Sequence, residues 1–320
     1  MRVLIIGGAG YVGAPLTYKM WRDGHDVTVL DLLLFGGESL IALQGQDRFR
    51  FLAGDLRDPA TLDKVMAGQD AVVLLGAIVG EPASNRDPDA TYTTNQVGSE
   101  TVRDAAIRHG VEQFVFVSTC SNYGISEADA AVDETAPLMP ISPYSKTKVA
   151  AEKMLLASAS ETFHPTVLRL STAFGISPRM RFDLLVSDFT LAAVKDGKIV
   201  IYGEQFWRPF VHVDDIAKAI DMVLAADTDI VSGEVFNVGS NGNNTQKIEL
   251  GKSVQKVLPA TALEFVERNE DPRSYHVDFT KIETVLGYRA EWSIEDGIRE
   301  LALALESGVF ADPTDDRYHN

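Results

Sequence analysis

The chain has 320 residues, enough for a large core and, at roughly 150 residues per domain, for two lobes. Its net charge of -17 argues against the basic face that nucleic acid or an anionic membrane requires. The single cysteine, Cys120, excludes an internal disulfide or a cysteine metal cluster, and the longest apolar run, Ala71 to Val79, is too short to span a bilayer.

The chain opens directly on an apolar strand pattern, Val3 to Ile6, with no cationic leader before it, so a cytoplasmic location is expected. A wholly apolar strand suits a parallel sheet covered on both faces. Gly7-Gly8-Ala9-Gly10-Tyr11-Val12-Gly13 follows, and then a helical pattern to about Arg22. A glycine-rich turn between strand and helix lets backbone approach a pyrophosphate at the positive helix end. The next strand, Asp26 to Leu30, ends at Asp31, about 20 residues on, where an acid meets the adenosine ribose hydroxyls. Leu32 and Leu33 offer no arginine for a 2'-phosphate, which favours NAD over NADP.

The alternation continues with a strand at Phe49 to Ala53, the turn Gly54-Asp55, and Asp58-Pro59 opening a helix. Ala71 to Leu75 is a strand whose end, Gly76-Ala77, is small enough for a cofactor to pass. The polar stretch to about Pro88 reads as a flexible lid, Ala90 to His109 as a helix, and Gln113 to Ser118 as a strand. At its end stands Ser118-Thr119-Cys120-Ser121-Asn122-Tyr123-Gly124, the strand edge where open sheets place reactive groups. Ser142-Pro143 then opens a helix on which Tyr144 and Lys148, four apart, share a face. A cation beside a tyrosine favours its phenolate; the same spacing also describes an ordinary surface pair. Thr166 to Leu170 completes the series, which predicts an α/β, doubly wound, Rossmann-type parallel sheet.

Beyond Phe174-Gly175 the character changes. Pro178-Arg179-Met180-Arg181 is basic, Asp183 to Val194 helical and Lys198 to Ile201 strand-like. A boundary near Thr172 therefore divides a cofactor domain, 1–172 with returning segments near 209–240, from a smaller C-terminal α/β substrate domain, 173–320. Trp207 to Asp215 runs into a helix, Glu234 to Val238 is a strand, a short helix starts near Asp278, and Ser293 caps the last helix. The tail from Ser307 to Asn320 is polar and is expected to be loose.

With these motifs in place, the chain resembles the extended short-chain dehydrogenase/reductase family, in its nucleotide-sugar epimerase and dehydratase branch, over almost its whole length. Gly7, Gly10 and Gly13 match the family's glycine motif, with Tyr11 and Val12 inside it. Asp55-Leu56 matches its adenine-contacting turn, and Ala77 lies where the cofactor passes. Thr119 matches the catalytic Ser/Thr, and Tyr144 with Lys148 the Tyr-x-x-x-Lys pair. Arg208 and Arg273 resemble the two arginines that grip a nucleoside diphosphate, since guanidinium forks bind phosphate oxygens at two points. Asn95-Gln96-Val97-Gly98 matches a segment preceding the helix of the family's dimer bundle, which implies a homodimer.

The departures bear on the reaction. Dehydratases of the branch place Asp-Glu after the catalytic threonine; here those positions are Cys120 and Ser121. Thr172 stands where many members have a substrate-binding Asn, so Cys120, Ser121 and Thr172 are expected to shape the sugar site. The resemblance implies an NAD-dependent epimerase acting on a nucleoside-diphosphate sugar at C4 through a keto intermediate. Tyr144 would be the base, Lys148 its cationic neighbour and Thr119 the hydrogen-bond donor to the reacting oxygen. A 4-ketoreductase or dehydratase of the same family is the alternative, and a non-catalytic NAD-binding scaffold a further one. No metal site is expected.

Overall fold

Branched and apolar residues dominate the first strand, and the computed structural model, which describes residues 1–125, 131–266 and 274–320, buries Val3, Leu4, Ile5 and Ile6 completely or nearly so. In chain order the strands are β1 (Arg2–Ile6), β2 (Asp26–Asp31), β3 (Phe49–Ala53), β4 (Ala71–Leu74), β5 (Gln113–Thr119), β6 (His164–Leu170), β7 (Thr172–Phe174), β8 (Lys198–Ile201), β9 (Trp207–His212), β10 (Val235–Val238), β11 (Asn244–Gln246) and β12 (Ala262–Phe265). The helices are α1 (Gly13–Arg22), α2 (Pro59–Met66), α3 (Glu81–Arg86), α4 (Pro88–Thr91), α5 (Gly98–Arg108), α6 (Pro143–Leu156), α7 (Leu185–Asp196), α8 (Val213–Ala225), α9 (Thr228–Val231), α10 (Lys247–Val257), α11 (Thr280–Leu286) and α12 (Ile294–Glu306).

Seven strands form one parallel sheet in the order β10-β6-β5-β4-β1-β2-β3. The order reverses beside β1, and the crevice beyond the strand ends there is where such sheets bind ligands. Alternate residues of each strand face opposite layers. Val3 and Ile5 pack with Leu16 and Met20 of α1 and Ile216 and Ile220 of α8. Leu4 and Ile6 meet Leu62 of α2, Val102 of α5 and Leu155 of α6. Each layer buries its own apolar stripe, so both faces of the sheet are dry.

β7 leaves the main sheet directly after β6 and joins β9 and β11, while β8 pairs with β12. Around them Phe174, Phe189, Ile201, Phe210, Leu250 and Ile298 form the core of a smaller lobe. Among the described residues no helix is long and apolar enough to cross a membrane.

Two expectations from the sequence are corrected. The stretch to Pro88, read as a flexible lid, forms α3 and α4, because Pro82 and Pro88 sit at first-turn positions and Asp87 accepts a bond from Ala90 N at 2.8 Å. A π-helical turn, Tyr92–Val97, joins α4 to α5. The tail, read as loose, is packed: Phe182 N donates to Tyr318 O at 3.0 Å, and the rings of Phe182, Phe310 and Tyr318 meet edge to face.

Candidate active site

Gly7 (φ +87°) turns β1 into α1 so tightly that a Cβ there would lie 2.6 Å from Gly76 N, and one at Gly13 would lie 2.1 Å from Gly7 O. Gly10 differs: a Cβ would meet nothing nearer than Gly7 O at 3.4 Å, so its face opens on free space. No side chain caps α1; Ala14 N is bonded to Gly10 O at 2.9 Å and Pro15 has no N–H, which leaves Gly13 N at the helix end for an anionic ligand. Asp31, at the end of β2, accepts bonds from Ala9 N (2.9 Å) and Leu33 N (2.8 Å), which fix its carboxylate beside the glycine loop. Tyr11 turns away, its hydroxyl donating to Gly175 O at 2.7 Å, and thereby ties the loop to the smaller lobe; Val12 is the α1 N-cap.

On the far wall, Ile78 N donates to Asn95 Oδ1 and Asn95 Nδ2 to Ile78 O, each at 2.8 Å, so the buried Asn95 clamps the chain just after Ala77. Leu56 fills the space over Gly76 and Gly98. Asp55, expected at the adenine, is forked by Arg57 through Nε (3.0 Å) and Nη2 (2.6 Å). Loop, helix end and acid together fit a dinucleotide.

The chemistry-bearing groups converge beside this groove. Ser142 and Ser145 form a reciprocal capping box that starts α6, placing Tyr144 in its first turn. Thr119, at the end of β5, accepts a bond from Ser121 N at 3.1 Å, and its hydroxyl stands on the side of the Tyr144 phenol, where it favours the phenolate. Burial pushes Tyr144 up to about 12, against the Thr119 hydroxyl and the charge of Arg181, both of which favour the phenolate. Lys148 is 3 % exposed. Its Nζ donates to Val117 O at 2.8 Å and lies 4.6 Å from the centre of the Phe116 ring. Burial pushes the ammonium down to about 7, against the supporting charge of Glu152. The two residues share the helix face, yet the Lys148 proton is held by the β5 backbone.

Behind them is a buried polar cluster with no local sequence signal. Glu152 accepts from Ser118 Oγ, from Asn122 Nδ2 (2.7 Å) and from Arg169 Nη2 (2.8 Å). Arg169 also donates to Tyr123 OH (3.0 Å), which donates to Asn237 Oδ1 (2.7 Å). α6, the end of β5, β6 and β10 are thereby joined at the floor of the crevice.

Cys120 lies inside the core, its Sγ on Arg169 O at 3.2 Å, and burial raises its thiol well above the ordinary range. Ser121 Oγ and Tyr275 OH are 3.2 Å apart, and the Arg208 guanidinium lies 5.4 Å from the centre of the Tyr275 ring while Nη1 donates to Trp207 O at 2.8 Å. Tyr275, which sequence reasoning missed, thus links the nearly buried Arg208 to the Thr119 loop. Thr172, on β7, stands opposite Phe210. Glu81, at the start of α3, is a carboxylate whose charge bears on Tyr144. Arg273 lies outside the described residues. Among the described residues no three His, Cys, Asp or Glu side chains group as a metal site would require.

The model of the NAD dependent epimerase/dehydratase family matches residues 3–239. A dTDP-glucose 4,6-dehydratase of Streptomyces griseus is 33 % identical over 92 % of this chain and 91 % of its own. The crystal structure of the dTDP-glucose 4,6-dehydratase DesIV from Streptomyces venezuelae, with NAD bound, superposes with a TM-score of 0.87 at 28 % identity over 98 % of this chain and all of that one. The UDP-glucose 4-epimerase of Thermotoga maritima, with UDP-glucose, gives 0.86 at 27 % over 97 % of this chain and all of that one.

Proposed function

Given that the chain belongs to the NAD dependent epimerase/dehydratase family, in the extended short-chain dehydrogenase/reductase branch, we propose that it is an NAD-dependent epimerase of a nucleoside-diphosphate sugar, acting at C4. One observation carries the choice: the two positions after Thr119 hold a core-packed thiol and a hydroxyl engaged with Tyr275, and neither is a carboxylate. Eliminating water needs an acid and a base at the sugar; epimerisation needs one reversible proton acceptor beside the reacting hydroxyl.

Tyr144 is that acceptor. Ser121 N–H occupies a lone pair of the Thr119 hydroxyl, leaving its proton free to follow the negative charge that develops on the sugar oxygen or on Tyr144. NAD, held by the glycine loop and Asp31, would supply the hydride acceptor and donor at the carbon bearing that oxygen. Lys148, held on Val117 O, supplies a positive charge under the site, and Arg208 supplies a fork for the diphosphate. A second reading, dehydration, needs a carboxylate at the sugar, for which Glu81 at the start of α3 is the candidate.

The products separate the two. Purified protein with NAD is incubated with the UDP-, dTDP-, GDP- and CDP-hexoses, and the products are read by mass spectrometry and sugar chromatography. Interconversion of C4 epimers at constant mass is expected. Loss of one water, or consumption of NADH with a 4-keto sugar and no epimer pair, would overturn the reading.

A further inference from the structure

We propose that the segment 178–182 and the chain's residues 318–320 form a clasp over the adenosine half of the NAD groove, with Arg179 a cofactor-binding residue reaching in from the smaller lobe. The proposal rests on the groove being an NAD site and is independent of the reaction carried out there.

Arg179 lies between β7 and α7, yet its guanidinium carbon stands 3.9 Å from the centre of the Phe35 ring, in the turn that follows Asp31. That turn is part of the cofactor wall: Asp31 is pinned to Ala9 N and Leu33 N, and Ser39 Oγ donates to Ala9 O at 2.8 Å. Asp31 and Arg179 feel each other's charge, but among the described residues no ion pair joins them. The acid and the guanidinium thus flank the end of β2, where a dinucleotide's adenosine ribose is held.

Arg179 is 6 % exposed and under-satisfied. Among the described residues the guanidinium's hydrogen-bond partners are Asn320 Oδ1 at 2.6 Å and His319 O at 3.5 Å, both on Nη2, while Nε has none. His319 Nε2 is likewise buried without a partner among the described residues. Buried donors left unpaired are costly, and burial pushes Arg179 down to about 10, so an incoming acceptor relieves a penalty already present. The tail holds the arginine from behind: Phe182 N donates to Tyr318 O at 3.0 Å, and the Phe182, Phe310 and Tyr318 rings interlock at 5.1 to 5.7 Å between centres. Glu38, beyond the Phe35 turn, bears electrostatically on Arg317 in the same tail. Three stretches distant in sequence therefore close on one end of the groove. NAD leaves only after Phe35 and Arg179 part, which suits a cofactor regenerated in place.

The test uses the full chain stripped of NAD, without sugar. NAD affinity is measured by calorimetry, and the dissociation rate by trapping released NAD with an excess of a scavenging dehydrogenase. Arg179→Met is expected to raise Kd about tenfold or more through faster release, the scale of one charge-assisted hydrogen bond. The half-exposed Phe35→Ala is expected to move the same way with an unchanged melting temperature of the NAD-free protein. An affinity within about twofold of the parent in Arg179→Met overturns the proposal; should that variant not fold, Phe35→Ala decides by the same criterion. Because only NAD binding is read, the result stands whether the enzyme epimerises or dehydrates its sugar.

Discussion

Replacing Arg169 by Met tests whether the floor of the site is the buried ion pair it looks like. Arg169 forks Glu152 with Nη2 at 2.8 Å, and the side chains are 6 % and 2 % exposed. Removing the guanidinium leaves the carboxylate with Ser118 and Asn122 as its donors, and the charge remains in the core. Breaking a buried pair from one side costs about 3–5 kcal/mol. At about 2 °C per kcal/mol for a chain of this size, the melting temperature should fall by roughly 6–10 °C. Thermal unfolding by circular dichroism at fixed NAD concentration, with urea titration for the free energy, reads the effect. The diagnostic arm is the double variant Arg169→Met with Glu152→Leu, which removes the stranded charge and should recover more than half of the loss. A drop below about 2 °C in the single variant, or no recovery in the double, would refute the reasoning, because either result means that water already solvates Glu152.

The glycine loop makes a paired prediction: Gly10→Ala, with its nearest neighbour 3.4 Å away, should fold like the parent but bind NAD at least about tenfold more weakly, whereas Gly13→Ala, 2.1 Å from Gly7 O, should lower the melting temperature before NAD is added. Lys148 should titrate near 7 in the NAD-free protein, visible as one lysine 13Cε resonance with an inflection there that is missing in Lys148→Met. Its folded pKa lies below the unfolded one, so the unfolded chain binds more protons between about 7 and 10.5 and stability should rise with pH across that window; a fall there attributable to Lys148 contradicts the burial argument. If Arg208 grips the diphosphate, Arg208→Ala should raise KM for the nucleotide sugar about 10- to 100-fold while kcat changes far less. An effect confined to kcat would reassign it to positioning Tyr275.

What was legible in the chain is what local rules control. Gly7, Gly10, Gly13 and Asp31 belong to one strand-turn-helix-strand unit, and Ser142 with Pro143 announces the helix that carries Tyr144 and Lys148. The misread lid shows the limit, since Asp87 and Pro88 carry the same capping chemistry as Ser142 and Pro143 but precede a single short turn with no apolar period. Tyr275, Glu152 and the tail aromatics were not legible at all. Their roles are made by neighbours far along the chain: Tyr275 by Ser121 and Arg208, Glu152 by Arg169, Tyr318 by Phe182. No pattern within a window of residues encodes such contacts.

The distribution of these long-range contacts explains how one crevice is both rigid and able to accept ligands. A proton acceptor and its hydrogen-bonding partner need placement to within about half an ångström, which a loop does not provide by itself. Thr119 is a strand end, but Cys120 to Tyr123 form only a single 3-10 turn, and three of the seven residues from Ser118 to Gly124 are fixed from behind through Glu152 and Arg169: Ser118 and Asn122 on the carboxylate and Tyr123 on the guanidinium. Burying that pair is expensive relative to an apolar core, so its presence under the reacting groups argues for placement over stability. The opposite side is built differently. Arg181 is tied to Asp183 on its own segment and Arg179 to the tail, whereas Tyr11 on Gly175 O and Arg179 over the Phe35 ring cross between the lobes and can separate when the lobes move. The floor positions the chemistry, and the roof decides what stays in.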